Sequence, residues 1–174
     1  MTIIRLAKKE DAIAIALLGR TTFSEAFGGL FSDRDDLKRY LDQTFAVDKI
    51  EKSLGKSNNR YWIASVDRLP VGYAKLKIRS PSAFVEGNDT SQLQKIYVLQ
   101  DFLEMKIGRR LQDILMENAQ NSGSRHIWLS VYEANKRAIR FYEKNDFRPV
   151  GKHQFRIGKL SFNFKVMCKS FQKA

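Results

Sequence analysis

The apolar positions of this 174-residue chain change their period near Gly55. Before it the spacing is helical. Ile13, Leu17 and Leu18 recur within residues 10–27, and Gly28-Gly29 ends the run. Residues 33–45 place Leu37, Tyr40, Leu41 and Phe45 on one stripe. Asp33, Asp35 and Asp36 crowd its start, where a helix dipole favours negative charge. Val47–Leu54 reads as a third, short helix closed by Gly55. Thr2–Leu6 alternates weakly, as an edge strand does.

After Gly55 the runs shorten and become rich in β-branched and aromatic residues. Residues 60–66 and 71–78 predict a hairpin about a turn at 67–70, followed by a loop over 79–89 that contains Pro81 and Gly87. Residues 91–99 predict a strand, about 107–121 a long helix, His126–Tyr132 a strand and 135–145 a helix. Residues 147–155 and 159–167 predict a closing hairpin around Gly158. This order implies an α/β fold with a mixed, mostly antiparallel central sheet flanked by helices. The strands at 91–99 and 126–132 would form a right-handed parallel crossover. The length favours a single domain over residues 1–174 with its own core.

Composition narrows the class. Hydrophobic residues make up 43% and Phe occurs 12 times, which argues against disorder. With Cys168 as its one cysteine, the chain forms no internal disulfide, which suits a reducing, cytoplasmic setting. No signal pattern opens the sequence, and no stretch approaches the roughly 20 apolar residues that span a bilayer, so no membrane partner is expected. The net charge of +12 attracts anions such as nucleic acid or a polyphosphate cofactor. Lys and Arg are spread evenly, unlike the clustered arm of a dedicated nucleic-acid binder. The two histidines and one cysteine show no metal-ligand spacing, so no metal is expected.

The informative stretch is residues 93–111, where a strand enters a tight turn and the turn opens a helix at Gly108. The first N–H groups of a helix lack internal partners and, with the dipole, form a natural phosphate site. Lys106, Arg109 and Arg110 add positive charge around it. Lys106 at positive φ would carry strain of about 1 kcal/mol or more.

Together with a second block over residues 131–147, this stretch resembles the GNAT superfamily of N-acetyltransferases. The family turn has Gln or Arg, two variable residues, Gly, one more, then Gly or Ala. Those places hold Leu103, Lys106 and Gly108, and only the last matches. The second block matches at Asn135, Ala138, Phe141-Tyr142 and Phe147, with Asp146 replacing a glycine. Ile96-Tyr97-Val98, Ile127-Trp128-Leu129, Thr22-Phe23 and Ala26-Phe27 look more narrowly like the PaiA-type spermidine/spermine branch.

The resemblance implies acetyl-CoA as co-substrate and a primary amine as acceptor, a polyamine or other small amine, attacked directly in a ternary complex. It implies that Ile96, Tyr97 and Val98 meet the pantetheine arm, with the N–H of Val98 as oxyanion donor. The N–H groups of Glu104, Met105, Lys106, Ile107, Gly108 and Arg109 would hold the pyrophosphate. Asn135 would touch the pantetheine and Tyr142 would protonate the leaving thiolate. Glu25, Glu86 and the carbonyl-rich end of the 91–99 strand are the candidate bases. A polycation meets an unfavourable field at +12, which the acids Glu25, Asp33, Asp35, Asp36 and Asp42 could reverse locally.

Each residue has a plainer reading. Tyr142 packs beside Phe141, Asn135 caps a helix, and Lys106 is solvated. His126, Trp62 and Trp128 are structural, Cys168 is a buried filler, and His153 lies near the acceptor side. The alternation Phe162/Phe164 reads as an exposed strand face that pairs with a second copy in a homodimer. The rival functions are a non-catalytic module that binds CoA or nucleic acid, and acetylation of protein N-termini or lysines.

Overall fold

A computed structural model describes residues 1–171. Among them seven strands form one sheet: β1 (Thr2–Leu6), β2 (Asn59–Val66), β3 (Leu69–Lys77), β4 (Thr90–Val98), β5 (His126–Tyr132), β6 (Arg148–Ile157) and β7 (Leu160–Ser170). The order is β1-β2-β3-β4-β5-β7-β6, and β4–β5 is the parallel pair in an otherwise antiparallel sheet. The helices are α1 (Ala12–Phe27), α2 (Arg34–Thr44), α3 (Val47–Leu54), α4 (Ile107–Asn121) and α5 (Lys136–Glu143). This is the expected mixed α/β architecture. No helix among the described residues is long and apolar enough to cross a membrane.

Two cores lie on opposite faces of the sheet. On one, Ile107, Leu111, Leu115 and Ala119 of α4 pack on Ala74, Leu76, Leu93, Ile127 and Leu129. Each such Leu or Ile contributes about 1.5–3 kcal/mol by burial. On the other face α1 and α3 cover Tyr61, Ile63 and Tyr73, and an aromatic cluster of Phe23, Phe31, Phe45 and Phe162 continues it.

The buried face of α1 only partly follows its spacing. Leu18 is buried as expected, but Ile13 and Leu17 are 61% and 60% exposed, and Ala12, Ile15, Ala16, Gly19 and Phe23 face inward beside Leu18. Small residues let the helix lie close to the sheet; a Cβ on Gly19 would meet the Phe45 ring. The first hairpin also turns more tightly than expected. Asp67 and Arg68 both have positive φ, 48° and 71°, so a two-residue turn suffices. Leu69 and Pro70 therefore belong to β3, where a register shift accommodates a residue without an N–H.

The last hairpin corrects a further expectation. β7 lies inside the sheet, between β5 and β6, and Phe162 is buried against Phe27, Phe31 and Tyr132. Phe162 and Phe164 are thus core-forming residues of this chain and offer no free strand face for a second copy. Gly158, at φ 55°, turns the hairpin tip onto α2. A Cβ there would strike the Asp36 carboxylate, which accepts the Lys159 N–H at 2.9 Å. Trp62 is core, Trp128 donates from Nε1 to the Ser80 carbonyl, and His126 Nδ1 meets Ser170 Oγ at 2.9 Å. Cys168 is half-buried, less enclosed than expected.

Candidate active site

β4 and β5 pair only at Thr90–His126, Ser91–Ile127 and Gln92–Trp128, then both continue unpaired to Val98 and Tyr132. Against β3, Lys75 pairs with Lys95 but Leu76 pairs with Leu93, so Gln94 is an extra residue. Such a bulge bends a strand, and it lies where β4 leaves β5. Beyond it a stretch of β4 has no strand on its β5 side.

The main chain of β4 alternates across this stretch. The Leu99 N–H donates to the Val71 carbonyl at 2.9 Å, and the Tyr97 carbonyl lies so close to Gly72 that a Cβ there would be 2.7 Å away. Tyr97 and Leu99 therefore direct their backbone to β3. Ile96 and Val98 direct theirs into the gap. Of the three residues the sequence singles out here, Tyr97 enters through its ring, on the face opposite α4.

α4 begins beside this gap. Residues 100–105 form a 3-10 turn, and Lys106 stands at φ 57°, ψ 20°, the left-handed conformation that a glycine would adopt freely. The N–H groups of Ile107, Gly108 and Arg109 have no hydrogen-bond partner among the described residues. Gly108 is ordinary helix in conformation; a Cβ would find only Ile96 Cγ2, at 3.9 Å. Its contribution is the open surface over the helix start. Leu103 and Met105 are exposed, Glu104 pairs with Arg137 at 3.2 Å, and Arg109 turns along α4 to Asp113 at 2.9 Å. The charge of Arg109 is thus partly spent on its own helix.

On α5, Asn135 caps the helix: its Oδ1 accepts the Ala138 N–H at 3.1 Å. Its amide nitrogen is left for another partner. Tyr142 packs between Phe141 and Phe147, with centroids 5.3 and 5.6 Å away, on the edge of the α4-side core. Its hydroxyl makes no hydrogen bond among the described residues. Burial holds this phenol well above its ordinary pKa, and Tyr97 pushes it the same way. Asp146, which replaces a glycine of the family pattern, stands at φ 67°, the left-handed region that Asp tolerates better than most residues.

The opposite face of the gap is built from side chains. A cleft of about 320 Å³ lies between residues 81–84 and the sheet, lined by Gln92, Trp128, Ser130 and His153. His153 Nε2 meets Ser130 Oγ at 2.9 Å and its ring stacks on Phe164 at 5.3 Å. The carboxylates expected nearby are elsewhere or engaged. Glu86 lines a separate hollow with Asp89, Arg125 and His126, at the starts of β4 and β5, away from the gap. Glu25 accepts the Gln100 N–H at 3.1 Å. Asp36 is taken by Arg39 and the Lys159 N–H, Asp33 by Lys159 Nζ and the Asp35 N–H, and Asp42 by Arg20 and Lys38. These bonds hold Asp33 and Asp42 below the usual carboxylate range. Of the acids that would welcome a polycation, Glu25, Asp33, Asp36 and Asp42 are thus bound to partners of their own, and Asp35 stays exposed. Ser130, Gln92 and the Lys75–Lys95 pair were not singled out from the sequence; only the sheet order and the bulge bring them into place.

An open strand edge, a helix start with free N–H groups and a phenol on the edge of the α4-side core make up the candidate site. The Acetyltransferase (GNAT) family model matches residues 24–147, and the chain belongs to that family. It is an acetyl-CoA-dependent N-acetyltransferase, transferring an acetyl group to an amine. An uncharacterized N-acetyltransferase of Lactobacillus delbrueckii subsp. lactis is 24% identical over 156 residues, 90% of this chain and 89% of its own. In structure, the PaiA N-acetyltransferase of Thermoplasma acidophilum, solved with coenzyme A, superposes with a TM-score of 0.78 at 19% identity, covering 98% of this chain and 99% of that one. An acetyltransferase of Salmonella typhimurium, solved with acetyl-CoA, gives 0.69 at 16% identity, covering 100% and 96%.

Proposed function

We propose that the chain acetylates a small primary amine by direct attack in a ternary complex, with cofactor and acceptor entering the β4–β5 gap from opposite faces. The gap carries this reading: two strands pair for three residues and then part, beside a helix with unpartnered N–H groups. Acetyl-CoA supplies the activated thioester.

The N–H groups of Ile107, Gly108 and Arg109 would hold its pyrophosphate, with Lys106 and Arg110 adding charge. The gap-facing edges at Ile96 and Val98 would hold the pantetheine amides, and the Val98 N–H would face the oxyanion. Asn135 has only its amide nitrogen to offer. Tyr142, kept protonated by burial, serves the departing thiolate as a hydrogen-bond donor, since a phenol of raised pKa holds its proton tightly. On the acceptor face the Ser130–His153 pair supplies an imidazole nitrogen that could accept a proton from the incoming amine.

The Gly158-Lys159 tip of β6–β7 is latched onto Asp33 and Asp36 beside α2. The engagement of the acids weighs against the polyamine that the PaiA resemblance suggests. Calorimetry with acetyl-CoA tests the reading, followed by a screen of amines with thiol release as readout. Absence of acetyl-CoA binding at hundreds of micromolar would overturn it.

A further inference from the structure

We propose that the acceptor amine also carries a carboxylate, which docks on the ammonium groups of Lys75 and Lys95 while the amine reaches the β4–β5 gap. This rests on the acetyl-transfer reading and specifies its substrate class.

Lys75 and Lys95 are direct cross-strand partners on β3 and β4. Like charges placed so destabilise a sheet. Neither lysine has a carboxylate within ion-pair distance among the described residues, whereas Lys38, Lys152, Lys159 and Lys169 each do. Both are partly buried, and aromatic rings stand where acids would. Lys75 Nζ lies 5.3 Å from the Tyr61 centroid; Lys95 Nζ lies 5.2 Å from that of Phe45, 5.0 Å from that of Tyr97 and 3.4 Å from the Tyr97 hydroxyl. Rings attract a cation without neutralising it. Burial, then Lys95, Lys77, Lys56 and Lys49, pull Lys75 down to about 8.

The anion that relieves this pair belongs to the acceptor. The cofactor's phosphates have their own site at the start of α4, on the other side of the sheet. Lys95 shares its face with Tyr97, beside the gap. Its ammonium already occupies the space between Phe45 and Tyr97 that a substrate cation would seek. Three residues of strand, roughly 10 Å of backbone, separate Lys95 from Val98 and set the scale of the distance between carboxylate and amine. An ω-amino acid or short peptide has that reach.

The test uses the whole chain with acetyl-CoA, the amino-acid series from glycine to 6-aminohexanoate, the matching carboxamides, and spermidine. At one or more lengths the acid should exceed its amide by about tenfold in kcat/KM, the value of one good charge pairing. Lys75→Met and Lys95→Met should bring that ratio near one without changing the calorimetric Kd for acetyl-CoA, and Lys95→Arg should keep most of it. Melting curves confirm that the variants fold. Equal rates for acid and amide at every length, spermidine as the best acceptor, or a preference that survives in the double variant would each overturn the proposal. So would turnover of none of the acids while acetyl-CoA still binds. Loss of acetyl-CoA binding in the wild type would instead overturn the transfer reading beneath it.

Discussion

The two faces of the β4–β5 gap are made of different material. On the α4 side the proposed cofactor site is mostly main chain: the edge at Ile96 and Val98 and the N–H groups of Ile107, Gly108 and Arg109. On the other side the proposed acceptor site is made of side chains: Lys75, Lys95, Tyr97, Ser130 and His153. A backbone site survives changes of side chain provided its conformation survives. That is why Leu103, Lys106 and Asp146 can depart from the family pattern while Lys106 and Asp146 still reach the left-handed region. A site made of side chains carries the individuality of the chain, and the proposed acceptor site is of that kind.

On the α4 side, removing the Tyr142 hydroxyl should have the greatest effect. Tyr142→Phe removes a single hydroxyl and leaves the packing against Phe141 and Phe147. Turnover should fall on the order of 100-fold, with the Kd for acetyl-CoA within about twofold. Steady-state kinetics beside calorimetry measure both, and unchanged turnover would remove Tyr142 from the mechanism. Next, Gly108→Glu tests the backbone site by electrostatics. Its Cβ has room, and an acid in the first turn suits the helix dipole, so the melting temperature should hold or rise. The carboxylate would oppose the pyrophosphate, and binding should weaken by about 2–3 kcal/mol, roughly 30- to 150-fold.

The acceptor face should show the reverse relation of stability and function. Lys75→Met relieves the repulsion with Lys95 and should stabilise the fold by about 0.5–1 kcal/mol at neutral pH. The pH dependence has a definite sign. The folded-state pKa of Lys75, about 8, lies below its ordinary 10.5. Between those values the unfolded chain binds more protons, so wild-type stability gains with rising pH across that window. The variant should lack that gain. Denaturant titrations at pH 7, 9 and 10.5 compare the two, and parallel profiles would remove the repulsion argument.

What was legible in the sequence divides along the same line. The strand, turn and helix over residues 91–121 and the caps and aromatics of α5 lie within short windows, so periodicity and motif locate them. The acceptor face depends on long-range register. Lys75 meets Lys95 because Gln94 is extruded from the β4 ladder, and Ser130 meets His153 because β7 enters between β5 and β6. On α1, hydrophobicity favours the Ile13 and Leu17 side, but close approach to the sheet selects Ala12, Ala16 and Gly19. Likewise, counting Asp33, Asp36 and Asp42 as an acidic patch overlooks the partners folding gives them.

At the N-terminus of α4 a smaller change separates main-chain from side-chain binding of the cofactor. Lys106→Gly removes a Cβ from a residue at φ 57°, ψ 20° that caps α4. Relief of left-handed strain favours the variant by about 1 kcal/mol, and the greater freedom of glycine in the unfolded chain returns part of it. A net gain of about 0.5 kcal/mol in chemical denaturation is expected. If the main chain alone forms the pyrophosphate site, the Kd for acetyl-CoA should move by less than about threefold, because the N–H groups of Ile107, Gly108 and Arg109 keep their places. A tenfold loss would show that the Lys106 ammonium holds a phosphate directly. The two sides of the gap would then both rely on side-chain charge, and this chain would have replaced the family's glycine with a ligand.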